Sequence, residues 1–401
     1  MEHVVVVGAG QAGAAAVARL RAKGFQGEIT LIGAEDQPPY QRPPLSKAYL
    51  LGEMALERLF LRPAEFYAEN NIRLLTDVEV AAIDPAAGHV RLADGAVLAF
   101  SDLILATGAT PRRLPAAIGG DLAGVYTVRS LADVDAMAAA FRPGRRLVIV
   151  GGGYIGLEAA AVAAKLGLSV TVLEMAPRIL QRVAAAETSD HFRALHQAHG
   201  VTIREATGLE RLLGDGQVSA VRLANGTEIP ADFVILGVGV TPNTQLAAAA
   251  GLAIDNGIAC DALGRTSAPH VWAAGDCASF PHEGGRIRLE SVGNAIDMAE
   301  LVADNIMGAG RPYQAKPWFW SDQYDCKLQI AGLNTGYDRI VARKGEGAAV
   351  SFWYYAGDRL LAVDAMNDPR AYMVGKRLVE AGRSPDPARV ADAAELKELL
   401  A

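Results

Sequence analysis

Two copies of one glycine pattern, about 140 residues apart, fix what this chain can fold into. The first, Gly8-x-Gly10-x-x-Gly13, follows Val4-Val5-Val6-Val7. The second, Gly151-x-Gly153-x-x-Gly156, follows Leu147-Val148-Ile149-Val150, and an alanine-rich stretch succeeds each. An apolar run, a glycine loop and a helix-forming segment in that order are the strand, turn and helix of a dinucleotide-binding unit. The first glycine permits the tight turn, the second lets a pyrophosphate approach the backbone, and the third lets helix pack on strand. The diphosphate then lies where the first N–H groups of the helix have no intrahelical partner. Two such units predict two dinucleotides on one polypeptide.

The next strands support this. The segment 28–32 leads to Glu35-Asp36 and the segment 169–173 ends at Glu174, each where a ribose hydroxyl partner belongs. Leu103-Ile104-Leu105-Ala106-Thr107-Gly108 and Phe233-Val234-Ile235-Leu236-Gly237-Val238-Gly239 look like matching buried strands that end in tight turns, and Val271-Trp272-Ala273-Ala274-Gly275-Asp276 adds a third. From Trp318 the chain turns to short aromatic and β-branched runs, such as 327–331 and 350–355, and finishes in helices. The expected class is α/β: two Rossmann-like domains and a small C-terminal α+β domain. The expected boundaries are 1–110 with 240–317, 111–239, and 318–401. A chain of 401 residues is too long for one ordinary core.

A net charge of -7 argues against general nucleic-acid binding. No apolar run approaches the roughly 18–20 residues of a membrane span. Met1-Glu2-His3 leads directly into a strand without a basic leader, so a cytoplasmic protein is expected. Cys260, Cys277 and Cys326 form no CxxC or similar pair, which excludes a local metal knuckle and a local redox disulfide. They are expected to be packing residues, and no metal site is expected.

More selective segments carry a resemblance: Tyr40-Gln41-Arg42-Pro43-Pro44-Leu45-Ser46-Lys47, Ala106-Thr107-Gly108, Gly275-Asp276 and Pro317-Trp318-Phe319-Trp320-Ser321-Asp322-Gln323. With the two fingerprints, they make the chain similar to the oxygenase-coupled NADH–ferredoxin reductases, a branch of the glutathione reductase-like flavoproteins. The resemblance implies tightly bound FAD on Gly8, Gly10 and Gly13, with Glu35 on the adenosine ribose and Asp276 on the ribityl chain. Ala106, Thr107, Gly108 and Gly275 would line that site, and Ser291 and Val292 would bring a helix N-terminus to the flavin. Arg42 and Lys47 would lie beside the ring, where positive charge favours its reduction. NADH would bind Gly151, Gly153, Gly156 and Gly239, with Glu174 accepting from its 2′-hydroxyl and Glu158 pairing with Lys47. Arg178 and Arg182 follow Glu174 closely and are the features that would admit a 2′-phosphate; NADH is favoured.

In related oxidases a redox cysteine ends the Pro-Pro-Leu-Ser segment, and here Lys47 stands in that place. Electrons would therefore leave the flavin directly, past Trp320 and its neighbour Trp318, for a one-electron iron–sulfur acceptor. The implied catalytic residues are Lys47, Glu158 and Trp320. The implied partner is an acidic [2Fe–2S] ferredoxin that feeds a monooxygenase or dioxygenase, and Lys316, Lys327, Arg339, Arg343 and Lys344 are expected to form part of a basic docking face. Two alternatives stay open: a reductase of rubredoxin, a quinone or a small oxidant, and a redox-sensing interaction flavoprotein similar to apoptosis-inducing factor.

Overall fold

The computed structural model describes residues 2–400. Its framework is two parallel sheets, each built outward from a glycine-bearing strand. His3–Val7 is buried from Val4 onward, as befits a strand covered on both faces. It pairs in parallel with Glu28–Ile32 on one side and Asp102–Leu105 on the other, with Val4 opposite Ile29 and Asp102. The sheet order is Val271–Ala273, Asp102–Leu105, His3–Val7, Glu28–Ile32, Ile72–Leu75. The helix Gln11–Ala22 buries Ala12, Ala16, Val17 and Leu20 against it. Small residues along this helix also let the helix Val292–Ile306 pack against it.

The second sheet repeats the plan. Arg146–Val150 pairs in parallel with Ser169–Leu173 and Phe233–Leu236, flanked by Thr202–Arg204 and Val125–Thr127. The helix Tyr154–Lys165 buries every residue from Gly156 to Ala163. The outermost strands differ in origin: Val271–Ala273 returns from late in the chain, whereas Val125–Thr127 precedes its own fingerprint.

The C-terminal segment forms an antiparallel sheet in the order Trp318–Gln323, Cys326–Gly332, Arg359–Met366, Val350–Ala356, Arg339–Lys344. The helix Pro369–Glu380 covers it, joining Tyr372, Val374 and Leu378 to a core of Trp353, Tyr355 and Val363.

The chain divides into two compact units, Met1–Gln41 with Ala55–Thr110 and Thr241–Pro317, and Arg42–Met54 with Pro111–Val240 and Trp318–Ala401. The segment Arg42–Met54 groups with the second unit for visible reasons. Arg42 Nη1 donates to Arg129 O at 2.8 Å, Tyr49 OH to Asp135 Oδ1 at 2.8 Å, and Lys165 Nζ to Glu53 Oε1 at 2.8 Å. Among the described residues no helix is long and apolar enough to cross a membrane.

Candidate functional site

The three glycines of each fingerprint do different work. Gly8 has φ +115°, and a Cβ there would lie 2.1 Å from Ala106 O; a Cβ on Gly13 would lie 2.0 Å from Gly8 O. Gly151 has φ +110° with a Cβ 2.3 Å from Gly237 O, and a Cβ on Gly156 would lie 2.3 Å from Gly151 O. The first and third glycines are thus required by the protein's own backbone, the first for a left-handed turn as well. A Cβ on Gly10 or Gly153 would meet no protein atom within 4 Å. Both are extended N-cap residues with no side-chain cap bond, and neither helix has an acidic residue in its first turn. By contrast, Ser291 caps the helix Val292–Ile306 by accepting from Asn294 N. Packing does not account for the middle glycines, whereas a diphosphate against uncapped N–H groups does. The residues present fit a dinucleotide at each fingerprint.

The first unit gathers the other residues expected around FAD. Ala106 carries the carbonyl that faces Gly8. Thr107 Oγ1 donates to Asn243 O at 2.6 Å, Asn243 Nδ2 donates back to Thr107 O at 2.8 Å, and Gly108 O accepts from Asn243 N. A Cβ on Gly275 would lie 3.0 Å from Ala12 Cβ, so Gly275-Asp276 is held close to the first fingerprint helix. Asp276 O accepts from Arg288 Nη1 at 3.1 Å. Glu35 accepts from Tyr40 OH at 2.5 Å. Ser291 and Val292 open the helix Val292–Ile306.

The second unit holds the expected nicotinamide residues. Glu174 braces its own fingerprint: Oε2 accepts from Gly152 N at 2.8 Å and Oε1 from Ala176 N at 2.7 Å. A carboxylate oxygen has lone pairs to spare, so a ribose hydroxyl can still donate to it. Arg178 turns inward, with Nη1 donating to Ser189 Oγ at 2.6 Å and Ala185 O at 3.1 Å. Gly239, at φ +93°, accepts from Arg112 N at 2.9 Å.

Lys47 and Glu158 meet within this unit. Lys47 Nζ lies 2.8 Å from Glu158 Oε2 and 3.2 Å from Pro43 O. Ser46 Oγ donates to the same oxygen at 2.8 Å, and Ser321 Oγ donates to Oε1 at 2.7 Å. Glu158 is 4 % exposed, within the buried run Gly156–Ala163 whose other members are glycine, leucine, valine and four alanines. Burial pushes its carboxyl above the usual range, and Lys47 and the two serines pull it back. Ser46, Ser321 and their buried neighbours Gln323 and His196 were not among the expected site residues. Ser321 and Gln323 could have been found from the strand period, which puts them on the face opposite the tryptophans; nothing local marks His196.

Trp320 stacks on Trp318 with ring centroids 5.4 Å apart, on the other face of the strand from Ser321. Phe319, on the serine side, lies 4.9 Å from Tyr154, the residue that follows Gly153. The expected basic cluster is corrected here. Lys327 pairs opposite Asp322 beside the tryptophan strand, but Arg339, Arg343 and Lys344 lie on the far edge strand of the sheet. Arg343 is committed to Val390 O and Ala393 O. The cation that reaches the tryptophans is Lys376, 5.2 Å from the Trp318 ring, because sequence neighbours in an antiparallel sheet can fall strands apart. All three cysteines are free and buried, and burial pushes the thiols of Cys260 and Cys326 up to about 12 and that of Cys277 upward. They are poor nucleophiles. Among the described residues no group of side chains could hold a metal ion.

Two glycine cradles on duplicated parallel sheets, with a lysine paired to a buried glutamate and no reactive thiol, define a two-dinucleotide oxidoreductase. The chain belongs to the pyridine nucleotide-disulphide oxidoreductase family, whose model matches residues 2–299, and a reductase C-terminal model matches residues 318–400. It is 46% identical over 391 residues to a ferredoxin–NAD(P)(+) reductase of Sphingomonas sp., covering 96% of this chain and 94% of that one. It is 42% identical to putidaredoxin reductase of Pseudomonas putida, covering 100% and 97%. The reductase in the crystal structure of the covalent putidaredoxin reductase–putidaredoxin complex superposes with a TM-score of 0.96 at 41% identity, covering 100% of this chain and 98% of that chain.

Proposed function

We propose that this protein oxidises NADH and passes the electrons singly to a [2Fe–2S] ferredoxin serving a monooxygenase or dioxygenase. One observation carries most weight: the second fingerprint's own helix presents Glu158 to Lys47, while every thiol that could relay electrons is buried and protonated. FAD supplies a ring that accepts two electrons together and releases them one at a time. In this assignment the Gly8–x–Gly10 cradle holds FAD and the Gly151–x–Gly153 cradle holds NADH, with Glu174 rejecting a 2′-phosphate by like charge. Lys47 supplies a fixed positive charge and Glu158 orients it. Trp318 and Trp320 belong to the face that meets the ferredoxin, with Lys376 as its nearby cation. The protein works in the cytoplasm, where NADH is supplied.

The purified protein should be yellow, bleach with NADH, and reduce putidaredoxin or a similar ferredoxin far faster than oxygen. Rapid oxygen reduction that ignores added ferredoxin would overturn the proposal and favour the small-oxidant alternative.

A further inference from the structure

The bonds on Glu158 continue beyond Ser321. Ser321 Oγ accepts from Gln323 Nε2 at 3.1 Å, Gln323 Oε1 lies 2.8 Å from His196 Nε2, and His196 Nδ1 lies 3.1 Å from Tyr324 OH. Ser321, Gln323 and His196 are each 0 % exposed. Proton counting fixes the direction. A serine has one proton, and Ser321 gives it to Glu158, so it must accept from the amide nitrogen. The amide oxygen then faces His196, which must carry its proton on Nε2. A neutral ring leaves Nδ1 as an acceptor for Tyr324 OH. Burial keeps the ring neutral by lowering its pKa to about 4, and keeps the Tyr324 phenol protonated by raising its own.

The far end of the chain is held at a conformational cost. Tyr324 and Asp325 form the two-residue turn between the paired Gln323 and Cys326, and Tyr324 has φ +56°. Such turns favour glycine or asparagine, and a bulky residue there is an outlier. What the tyrosine supplies is its side chain: the ring stacks on His199 at 3.7 Å and 11°, and the hydroxyl reaches His196. The groups around Glu158 are Lys47 and Ser46 from the proline-rich segment and Ser321 from the tryptophan strand; those around His196 are His199 on its own helix and Gln323 and Tyr324 from the hairpin.

We propose that Ser321, Gln323 and His196 are positioning residues, a one-way hydrogen-bonded chain anchored at Tyr324 that holds Glu158 ionised and aligned on Lys47. Each member turns a donor toward the carboxylate, which favours its charged form. An amide does not relay protons, so the chain carries orientation. Protonating Glu158 on Oε1 would turn the Ser321 bond round, whereas protonating it on Oε2 would leave Oε1 an acceptor and the chain as it stands. The proposal rests on Lys47 and Glu158 serving NADH oxidation.

The test uses the FAD-loaded protein and three readouts: nitrogen NMR of imidazole-labelled histidine, infrared titration of the protonated-carboxyl stretch, and the acid limb of the NADH oxidation profile. His196 should appear as the neutral Nε2–H tautomer at neutral pH. Ser321→Ala should move the carboxyl midpoint and the acid limb upward by about one pH unit, the scale of one lost bond to a charged group. Ser321→Thr, which keeps the donor, should restore both. Gln323→Leu leaves Glu158's direct partners in place and should still move both upward by a smaller amount. An Nδ1–H or cationic His196 at neutral pH, or Gln323→Leu leaving midpoint and acid limb unmoved, would overturn the proposal. The NMR and infrared readouts need no electron acceptor. A wrong acceptor assignment would therefore fail in the ferredoxin assay while leaving them intact.

Discussion

At the scale of single residues, the Lys47–Glu158 pair is where charge, burial and chemistry meet. Lys47→Met would leave a buried carboxylate with two serine donors and no counter-ion, a class of change that costs about 3 kcal/mol or more. The sign with pH is definite. Removing the cation raises further a Glu158 pKa that burial already holds high. The lost stability should return as pH falls through that raised value and vanish again as pH rises through it. Thermal melts of Lys47→Met and the parent across acidic and neutral pH should therefore converge at the acid end; parallel curves would show that Glu158 is not ionised opposite Lys47. Glu174 offers a second residue-level test. Glu174→Ala removes the negative charge expected at the 2′ position, and Arg178 stays committed to Ser189 and Ala185. The preference for NADH over NADPH in kcat/KM should drop by about tenfold or more, worth about 1.4 kcal/mol. An unchanged ratio would place the 2′ position elsewhere. Glu174 was legible from its place at the end of the strand after a glycine fingerprint, and Glu158 from the resemblance that pairs it with Lys47. Ser46 and His196 were not, because their importance depends on contacts made 112 and 127 residues away along the chain.

At the scale of elements, one strand joins two kinds of surface. Trp318–Gln323 alternates, with Phe319, Ser321 and Gln323 on the face of Tyr154, Glu158 and His196, and Trp318 and Trp320 stacked on the other. The central strands of the two parallel sheets were readable from apolar runs, since a strand covered on both faces is apolar throughout, whereas the edge strands Ile72–Leu75, Thr202–Arg204 and Val125–Thr127, partly exposed, were not. The basic patch was misread for a related reason: the antiparallel sheet places Arg339, Arg343 and Lys344 on its opposite edge, with three strands between them and the tryptophan strand. A pH effect belongs to this sheet. Asp364, fully buried, accepts from Tyr354 OH and Thr188 Oγ1 through Oδ2, while among the described residues no donor reaches Oδ1. Burial raises its carboxyl from 3.8 to about 6. The folded state therefore binds the proton more tightly than the unfolded state does, and stability falls as pH rises from the unfolded to the folded value. The amplitude is roughly 3 kcal/mol. Asp364→Asn should flatten the melting temperature across that interval; a variant that keeps the parent's slope would assign the effect to another group.

At the scale of the whole molecule, the open question is why one chain carries two nearly identical cradles and uses them differently. The fingerprints alone could not assign the ligands, because both copies show the same three glycine roles and the same uncapped helix start. What separates them is their surroundings: Thr107, Asn243 and Gly275 in one unit, and the lysine–glutamate pair and Glu174 in the other. The middle glycines allow a clean separation by experiment. Gly10 and Gly153 have φ of -92° and -83°, which any residue adopts, and a Cβ at either meets no protein atom within 4 Å. Gly10→Ala and Gly153→Ala should therefore fold like the parent, so that any loss is a loss of ligand approach. Gly10→Ala should emerge with reduced flavin content and a normal nicotinamide site. Gly153→Ala should emerge fully yellow, with NADH affinity at least about tenfold weaker, or about 1.4 kcal/mol. Gly8→Ala and Gly13→Ala, whose Cβ atoms would lie 2.1 and 2.0 Å from carbonyl oxygens, should instead lose folded protein altogether. If Gly153→Ala were the variant to lose its colour while Gly10→Ala kept it, the two cradles would have to exchange ligands, and the direction of electron flow through the chain would reverse with them.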